Sequence, residues 1–342
     1  MATVAATDER VRRLSLGQRL VSRPELGAAI GAIVVFAIFS VVAGGRGFLT
    51  PQGAATYLQV AAEIGILGAA VALLMIAGEF DLSIGSMVGA AGMVAALCMA
   101  QFGLPAWLSV LIAFAFALAV GALNGYLVIR TRLPSFIVTL GTLFILRGVT
   151  IGVTRFVTGR TQVGGLGVHI QNDPVTPLFT AELAGFDVSI LWWIGLTILA
   201  SYVLLRTSFG NWIYGAGGNE AAARNVGVPV VRVKIILFMC TAAAGALLGI
   251  IQVFTSQSAD VLRGSDKELE AIITAVVGGT LLTGGYGTAL GTFLGALTLG
   301  MTKQGIFFTG VSADWYIATL GTLLLAAVLF NNYIRRRASE AR

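Results

Sequence analysis

The chain has 342 residues, a net charge of +6, 57% hydrophobic residues and only 11% charged ones. Soluble globular domains carry about 25% charged residues, so there is too little polar surface here to cover a water-soluble globule, and lipid is the expected solvent. The apolar content excludes a disordered chain, the 44 glycines follow no Gly-X-Y period, and two cysteines (Cys98, Cys240) with one histidine (His169) are too few for a disulfide framework or a structural metal site.

The first 25 residues hold five arginines, Arg10, Arg12, Arg13, Arg19 and Arg23, and no small-residue cleavage pattern follows the apolar run behind them. That predicts a basic cytoplasmic tail (1–25) before a retained first helix. A membrane-spanning helix needs about 20 apolar residues. Uncharged or nearly uncharged stretches predict ten such spans. The first five are 26–45, then 57–78 with Glu63 inside it, two within 82–129 divided by a turn at 101–105, and 134–152 with Arg147. The others are 188–205, 235–259, two short spans within 271–302 divided by the Gly-rich 276–288, and 315–334. One of the short pair is open to a re-entrant reading. The expectation is an all-α integral membrane protein with a single transmembrane domain over 26–334.

Charge orients it. With the N-terminus inside, the inner segments (N-tail, 130–133, 206–234 and the C-tail 335–342) hold five, two, four and four basic residues, 15 of the 22. The long loops 153–187 and 255–270, with 304–314, then fall outside and hold eight of the 16 acidic residues. An even number of spans keeps Arg335-Arg336-Arg337 inside with the N-terminus. Trp107, Trp192, Trp193 and Trp315 fall at outer ends of spans, where an interfacial aromatic belt is expected.

Two echoes suggest internal repetition. IVTLGTLFIL (137–146) matches IATLGTLLLA (317–326), and a Gly-Ala-Leu precedes each, at 121–123 and 295–297. They pair span four with nine and five with ten, and a shift of five spans inverts direction, so two inverted five-helix repeats are expected. A competing echo, GEFDLSIGS (78–86) against GGTLLTGGY (278–286), keeps direction and belongs to no such repeat.

Charge at a span centre costs about 2.5–3.5 kcal/mol on insertion scales, so polar intrusions are the candidates for a path or gate: Glu79, Asp81, Ser83, Asn124, Arg147 and Gln252, with Glu63 and Gln304 beside them. Headgroup contact is the plainer reading of Glu79 and Asp81, and snorkelling that of Arg147. No G-x-x-x-x-G-K-[ST] phosphate loop occurs, and no Ser-His-Asp set is available. No catalytic residue and no cofactor or metal of the chain's own are expected, nor a nucleic-acid partner.

The loop RTSFGNWIYGAGGNEAAARNVGVPVVRVK (206–234) centres on good helix formers from Asn219 to Asn225, stopped by Gly227-Val228-Pro229. Its pattern G-x-x-x-x-A-x-G-G-N-x-x-A-A-x-x-x-G-[IV] over 210–228 resembles the coupling loop of ribose- and xylose-type bacterial ABC importer permeases. GEFDLSIGS, SFIVTLGTLFILRG (135–148) and ELEAIITAVVGGTLLTGGYGTALGTFLGAL (268–297) resemble further segments of that family, in order, over about 57–332. The chain departs from it at Leu281-Leu282-Thr283, where Ser-Leu-Ala is usual, and at Asn225-Val226, where Leu-Ser is frequent.

The resemblance implies the inner-membrane permease subunit of an ATP-driven, binding-protein-dependent sugar importer, working by alternating access. It implies a second copy of the chain, a cytoplasmic ATP-binding-cassette subunit that carries ATP and Mg, and a periplasmic sugar-binding protein. By the same analogy Gly218, Asn219, Glu220, Ala221, Ala222, Arg224, Asn225 and Gly227 form the ATPase-coupling loop. Arg263, Asp266, Lys267 and Glu268 would dock the binding protein. The alternative is an ion-coupled secondary transporter acting alone, with Glu79, Asp81 or Glu63 as proton carrier.

Overall fold

The computed structural model describes residues 24–312 and 314–340, with side chains from 25 to 329. The N-terminal arginines lie outside the described residues, as do the side chains of Arg335-Arg336-Arg337. The long helices are α1 (Pro24–Ala43), α2 (Pro51–Ile76), α3 (Ser83–Phe102), α4 (Ala106–Thr131) and α5 (Ser135–Thr158). Single turns α6 (Gly167–Ile170) and α7 (Pro177–Thr180) follow, then α8 (Ser189–Arg206), α9 (Ser208–Gly218), α10 (Glu220–Asn225), α11 (Val230–Ser256), α12 (Lys267–Val277), α13 (Ala289–Thr309) and α14 (Trp315–Glu340).

Seven described helices are long and apolar enough to cross a bilayer: α1 to α5, α8 and α11. Among the described residues seven of the expected ten are thus full spans by length and apolar content, and two, α12 and α13, fall short for physical reasons. Helix α12 has 11 residues, about 16 Å of rise, half of a hydrocarbon core about 30 Å thick. Helix α13 carries Lys303-Gln304 in its second half; α14 runs for 26 residues, its side chains described as far as Leu329.

Helix ends follow local chemistry. Thr50 caps α2 by accepting from the Gly53 N–H at 3.0 Å, and Thr288 caps α13 by accepting from Gly291 at 3.0 Å. Pro51 stands at the first position of α2, where no N–H is needed.

Packing rests on small residues, as expected where lipid supplies no hydrophobic drive between helices. Helix α3 lies at the centre and is mostly buried, whereas α5 is mostly exposed. It runs beside α11: a Cβ added at Gly249 would sit 2.2 Å from the Val88 carbonyl, and one at Gly245 3.1 Å from that of Ile84. On its other side α11 meets α4 through Gly121 and Gly125, where an added Cβ would fall 2.6–2.8 Å from the backbone of Phe238 and Ile235.

The segment 257–266 does not stay at the rim. It folds back along α3 until Gly264 meets the Gly85 carbonyl, and only then does α12 begin. Strand β1 (Gln162–Val163) pairs antiparallel with β4 (Ala259–Asp260) over this segment and fastens it to the 159–166 loop; β2 (Glu182–Leu183) and β3 (Phe186–Asp187) form a separate hairpin. The aromatic belt holds in part. Trp107 and Trp315 are exposed, but Trp193 is 1% exposed and stacked on Phe293 with ring centroids 4.0 Å apart. Gly65 opens the slot for that indole.

Candidate functional site

Helix α2 ends at Ile76, Gly78 turns the chain at φ +84°, and helix resumes only at Ser83. Irregular backbone at membrane depth survives only when protein groups satisfy it. Here Glu79 N–H donates to the Leu74 carbonyl at 3.1 Å, Phe80 N–H to Ser135 Oγ at 2.9 Å, and Leu82 N–H to Thr139 Oγ1 at 3.1 Å. The break is thereby pinned along the first turns of α5.

Asp81 closes the break and is fully buried. Its Oδ1 accepts from Ser83 N–H at 2.9 Å and Ser83 Oγ at 2.6 Å, and Thr241 of α11 donates to its Oδ2. Asn124 of α4 donates to Ser83 Oγ at 2.9 Å, and Thr142 of α5 donates to Asn124 Oδ1 at 2.7 Å. One carboxylate at the N-terminus of α3, where the helix dipole favours negative charge, thus ties α3, α4, α5 and α11 together.

Two residues before it stands Glu79, 9% exposed. Lys234, in the first turns of α11 and 8% exposed, donates to Glu79 Oε1 at 2.6 Å and to Glu220 Oε2 at 2.6 Å. Glu220 opens α10 and is also paired with Arg224. Asn219 caps that helix, accepting from Ala222 N–H at 3.0 Å. Partial burial pushes the Glu220 carboxyl up, but hydrogen bonds and charge from Lys234 and then Arg224 outweigh it and hold the group below the usual carboxylate range. Within α10, Ala223 turns in against Ala216 and Val230, while Ala221, Ala222, Arg224, Asn225 and the following Val226 and Gly227 are exposed.

A backbone hub backs this relay. A Cβ on Gly217, near the end of α9, would lie 1.8 Å from the Ile76 carbonyl, and one on Gly284 would lie 2.8 Å from the Cα of Gly78. Gly285 N–H donates to the Ile76 carbonyl at 2.8 Å, and Tyr214 Oη to the Gly287 carbonyl at 2.8 Å. The end of α2, the turn before α13 and the α9–α10 corner therefore meet at one point, with Gly218 beside them.

The other expected residues group differently. Lys267 turns inward, 3.0 Å from Glu270 and 3.6 Å from Glu63, and Lys303 lies 3.1 Å from Glu270. Gln252 donates to Glu63 at 3.1 Å. Glu268 is 6% exposed beside Gly85, under the charge of Arg147. Of the four residues expected on an outer docking face, Asp266 is exposed, Arg263 is half-buried, and Lys267 and Glu268 lie in the interior network. Sequence reasoning missed Lys234, which counted only as one more inner positive charge, and the hydroxyls Ser135, Thr139, Thr142 and Thr241. A Lys at the start of an apolar run, five residues past a proline, was the available signal for the first.

A multi-helix membrane protein in which an exposed helix is wired by ion pairs to a break in a buried helix has the build of a permease. The chain belongs to the family described as branched-chain amino acid transport system / permease component, which matches residues 53–328. It is similar to the ribose import permease protein RbsC of Escherichia coli (strain K12), 34% identical over 90% of this chain and 94% of that protein. It is also similar to the xylose transport system permease protein XylH of the same strain (28% identical, covering 90% and 92%) and to its probable ABC transporter permease protein YphD (30%, covering 93% and 92%). The chain is a multi-pass membrane protein and a transporter permease component.

Proposed function

We propose that this chain is the permease subunit of an ATP-driven, binding-protein-dependent importer of a sugar or sugar-like solute in a bacterial inner membrane. The observation that carries the reading is the bridge from Glu220 through Lys234 to Glu79. It gives a force applied at the 206–234 loop a direct route to the break before α3. The exposed face of α10, from Ala221 to Gly227, is the part that an ATPase subunit would grip, and ATP and Mg would sit on that subunit. The names of the sugar-permease relatives support the substrate class.

The finer architecture fits the same scheme: tails 1–25 and 335–342 on the cytoplasmic side, and ten membrane elements in two inverted sets of five. Non-helical chain precedes both α3, the third of the ten elements, and α12, the eighth, and this spacing of five supports the reading. A second copy would complete the path, with Asp81, Ser83, Asn124 and Arg147 near its gate, and a periplasmic binding protein would meet the face that carries Asp266 and Arg263.

Co-expression with an adjacent ATPase gene tests this. The ATPase chain co-elutes with the wild type and is lost with Ala222→Asp or Val226→Asp, exposed changes that leave insertion intact. A chain that elutes alone and transports sugar in proteoliposomes without ATP overturns the reading in favour of ion-coupled transport.

A further inference from the structure

Away from the relay, a cavity of about 390 Å³ opens where the outer turns of α2, the start of α8 and the end of α11 meet the dipping 257–266 segment. Its wall includes Glu63, Ser189, Gln252, Thr255, Ser256 and Arg263, and it reaches Gly264. The volume is within the range of small-molecule sites, about 300–1,000 Å³.

Its charged groups are each hydrogen-bonded or ion-paired within the chain and sum to no net charge, Glu63 and Asp187 against Arg263 and the neighbouring Lys267. Glu63 faces Lys267 at 3.6 Å and accepts from Gln252 at 3.1 Å. Arg263 donates to Ser256 Oγ at 2.9 Å and to the Ser258 carbonyl at 2.8 Å, and feels the carboxylates of Asp260 and Glu63. Asp187, also in the wall, accepts from Ser189 N–H at 2.7 Å. An ionic ligand would add a net charge to a site that has none, so a neutral ligand is favoured.

Two polar atoms in the wall are not matched. Ser189, 1% exposed, has a buried Oγ with no hydrogen-bond partner among the described residues, and the same is true of the buried Gln252 Oε1. Buried polar atoms without partners are rare in native structures and ask for an explanation. One is a hydroxyl that donates and accepts, the other an acceptor only. Both atoms are turned away from open space, and a ligand hydroxyl, which donates and accepts, satisfies either once the side chain rotates toward the cavity. The floor at Gly264 rests on the Gly85 carbonyl, in the first turn of α3, so a solute held here lies one turn from the Asp81 network.

The geometry points to this cavity as an outer binding site for a neutral polyhydroxylated solute of monosaccharide size, with Gln252 and Ser189 as the hydroxyl-binding groups. This assignment rests on the importer reading and adds a place for the cargo within the chain itself.

Thiol protection tests it. In a Cys98→Ala/Cys240→Ala background, Thr255→Cys places an exposed thiol on the wall and Leu262→Cys an exposed thiol on the same segment outside it. The full chain with its ATPase partner in nanodiscs is labelled with a membrane-impermeant thiol reagent alone, with D-ribose, with D-xylose, and with sulfate. At about three times its dissociation constant, a bound sugar slows labelling at 255 about fourfold. Position 262 and the sulfate control do not change. Gln252→Leu weakens the protecting sugar about tenfold, the loss of one to two hydrogen bonds, and Ser189→Ala weakens it in the same direction, with thermal stability as the check on folding. Uptake of both sugars is followed in parallel in cells that express the same chain with its ATPase and binding protein. Uptake without protection, or protection that survives both substitutions, overturns the site and leaves the importer reading standing; a cavity that holds water alone gives this result. Neither uptake nor protection overturns both.

Discussion

Lys234 joins carboxylates that lie 155 and 14 residues away along the chain. Its ammonium is nearly out of solvent, so its worth is asymmetric: removing one partner strands a buried charge, whereas removing the pair together does not. Lys234→Met therefore leaves Glu79 unpaired and costs about 3–5 kcal/mol. Adding Glu79→Gln recovers most of that loss, a strong departure from additivity. Thermal unfolding of the purified protein reads both variants, and uptake should stay low in the double variant, because stability returns without the link to α10. The Glu220 carboxyl supplies a pH signature. Its folded pKa is held low, so its contribution is fully present above the ordinary carboxylate value near 4.3 and is lost as pH falls through the lowered one. Spin labels at Ala222→Cys and Ile236→Cys should keep one distance from neutral pH down through that ordinary value and broaden only below it. Glu220→Gln should show the broadened distribution at every pH.

At the scale of elements, the two interruptions decide how the helices work together, and only one was legible in advance. The Gly-Glu-Phe-Asp-Leu run stood out because two acids interrupt an apolar stretch. The capping Asn219, the alanines and the stop at Gly227-Val228-Pro229 likewise marked α10 correctly. The second interruption was hidden: a charge-free run over 271–302 reads as two spans, and nothing local in it reveals that 257–266 turns inward along α3. Gly85 and Gly89 accept that segment, and the benefit of their missing side chains appears only when the partner backbone is in place. The inward turn of Lys267 and Glu268 is hidden for the same reason, since their partners Glu63 and Arg147 belong to α2 and α5. The glycine hub makes the point testable. Gly217→Ala drives a methyl into the Ile76 carbonyl, an overpacking that costs about 1–3 kcal/mol, whereas Gly218→Ala next to it meets nothing within 4 Å. The first should lower melting temperature and uptake together, and the second should change neither.

For the whole molecule, packing is uneven in a direction that bears on assembly. Helices α3 and α11 are sealed inside, while α5 turns Phe136, Phe144, Ile145, Val149 and Phe156 outward. In a bilayer, outward apolar side chains by themselves indicate only lipid. Helix α5 also carries Gly148 and Gly152, four residues apart, with open space where a Cβ would go at each. Small residues four apart let two membrane helices approach closely, and inside this chain nothing uses the opening. Because α5 also holds Ser135, Thr139 and Thr142 against the break, a second copy seated on its outer face would stand directly against the gate. Gly148→Ile should then reduce crosslinking between copies bearing Phe144→Cys, and reduce uptake, while the melting temperature of the single chain stays unchanged, since no intramolecular contact is touched. Equal crosslinking in both proteins would leave α5 facing lipid and move the partner's seat to another helix, with α14, whose Ile317, Leu325 and Leu329 are equally outward, as the next to test.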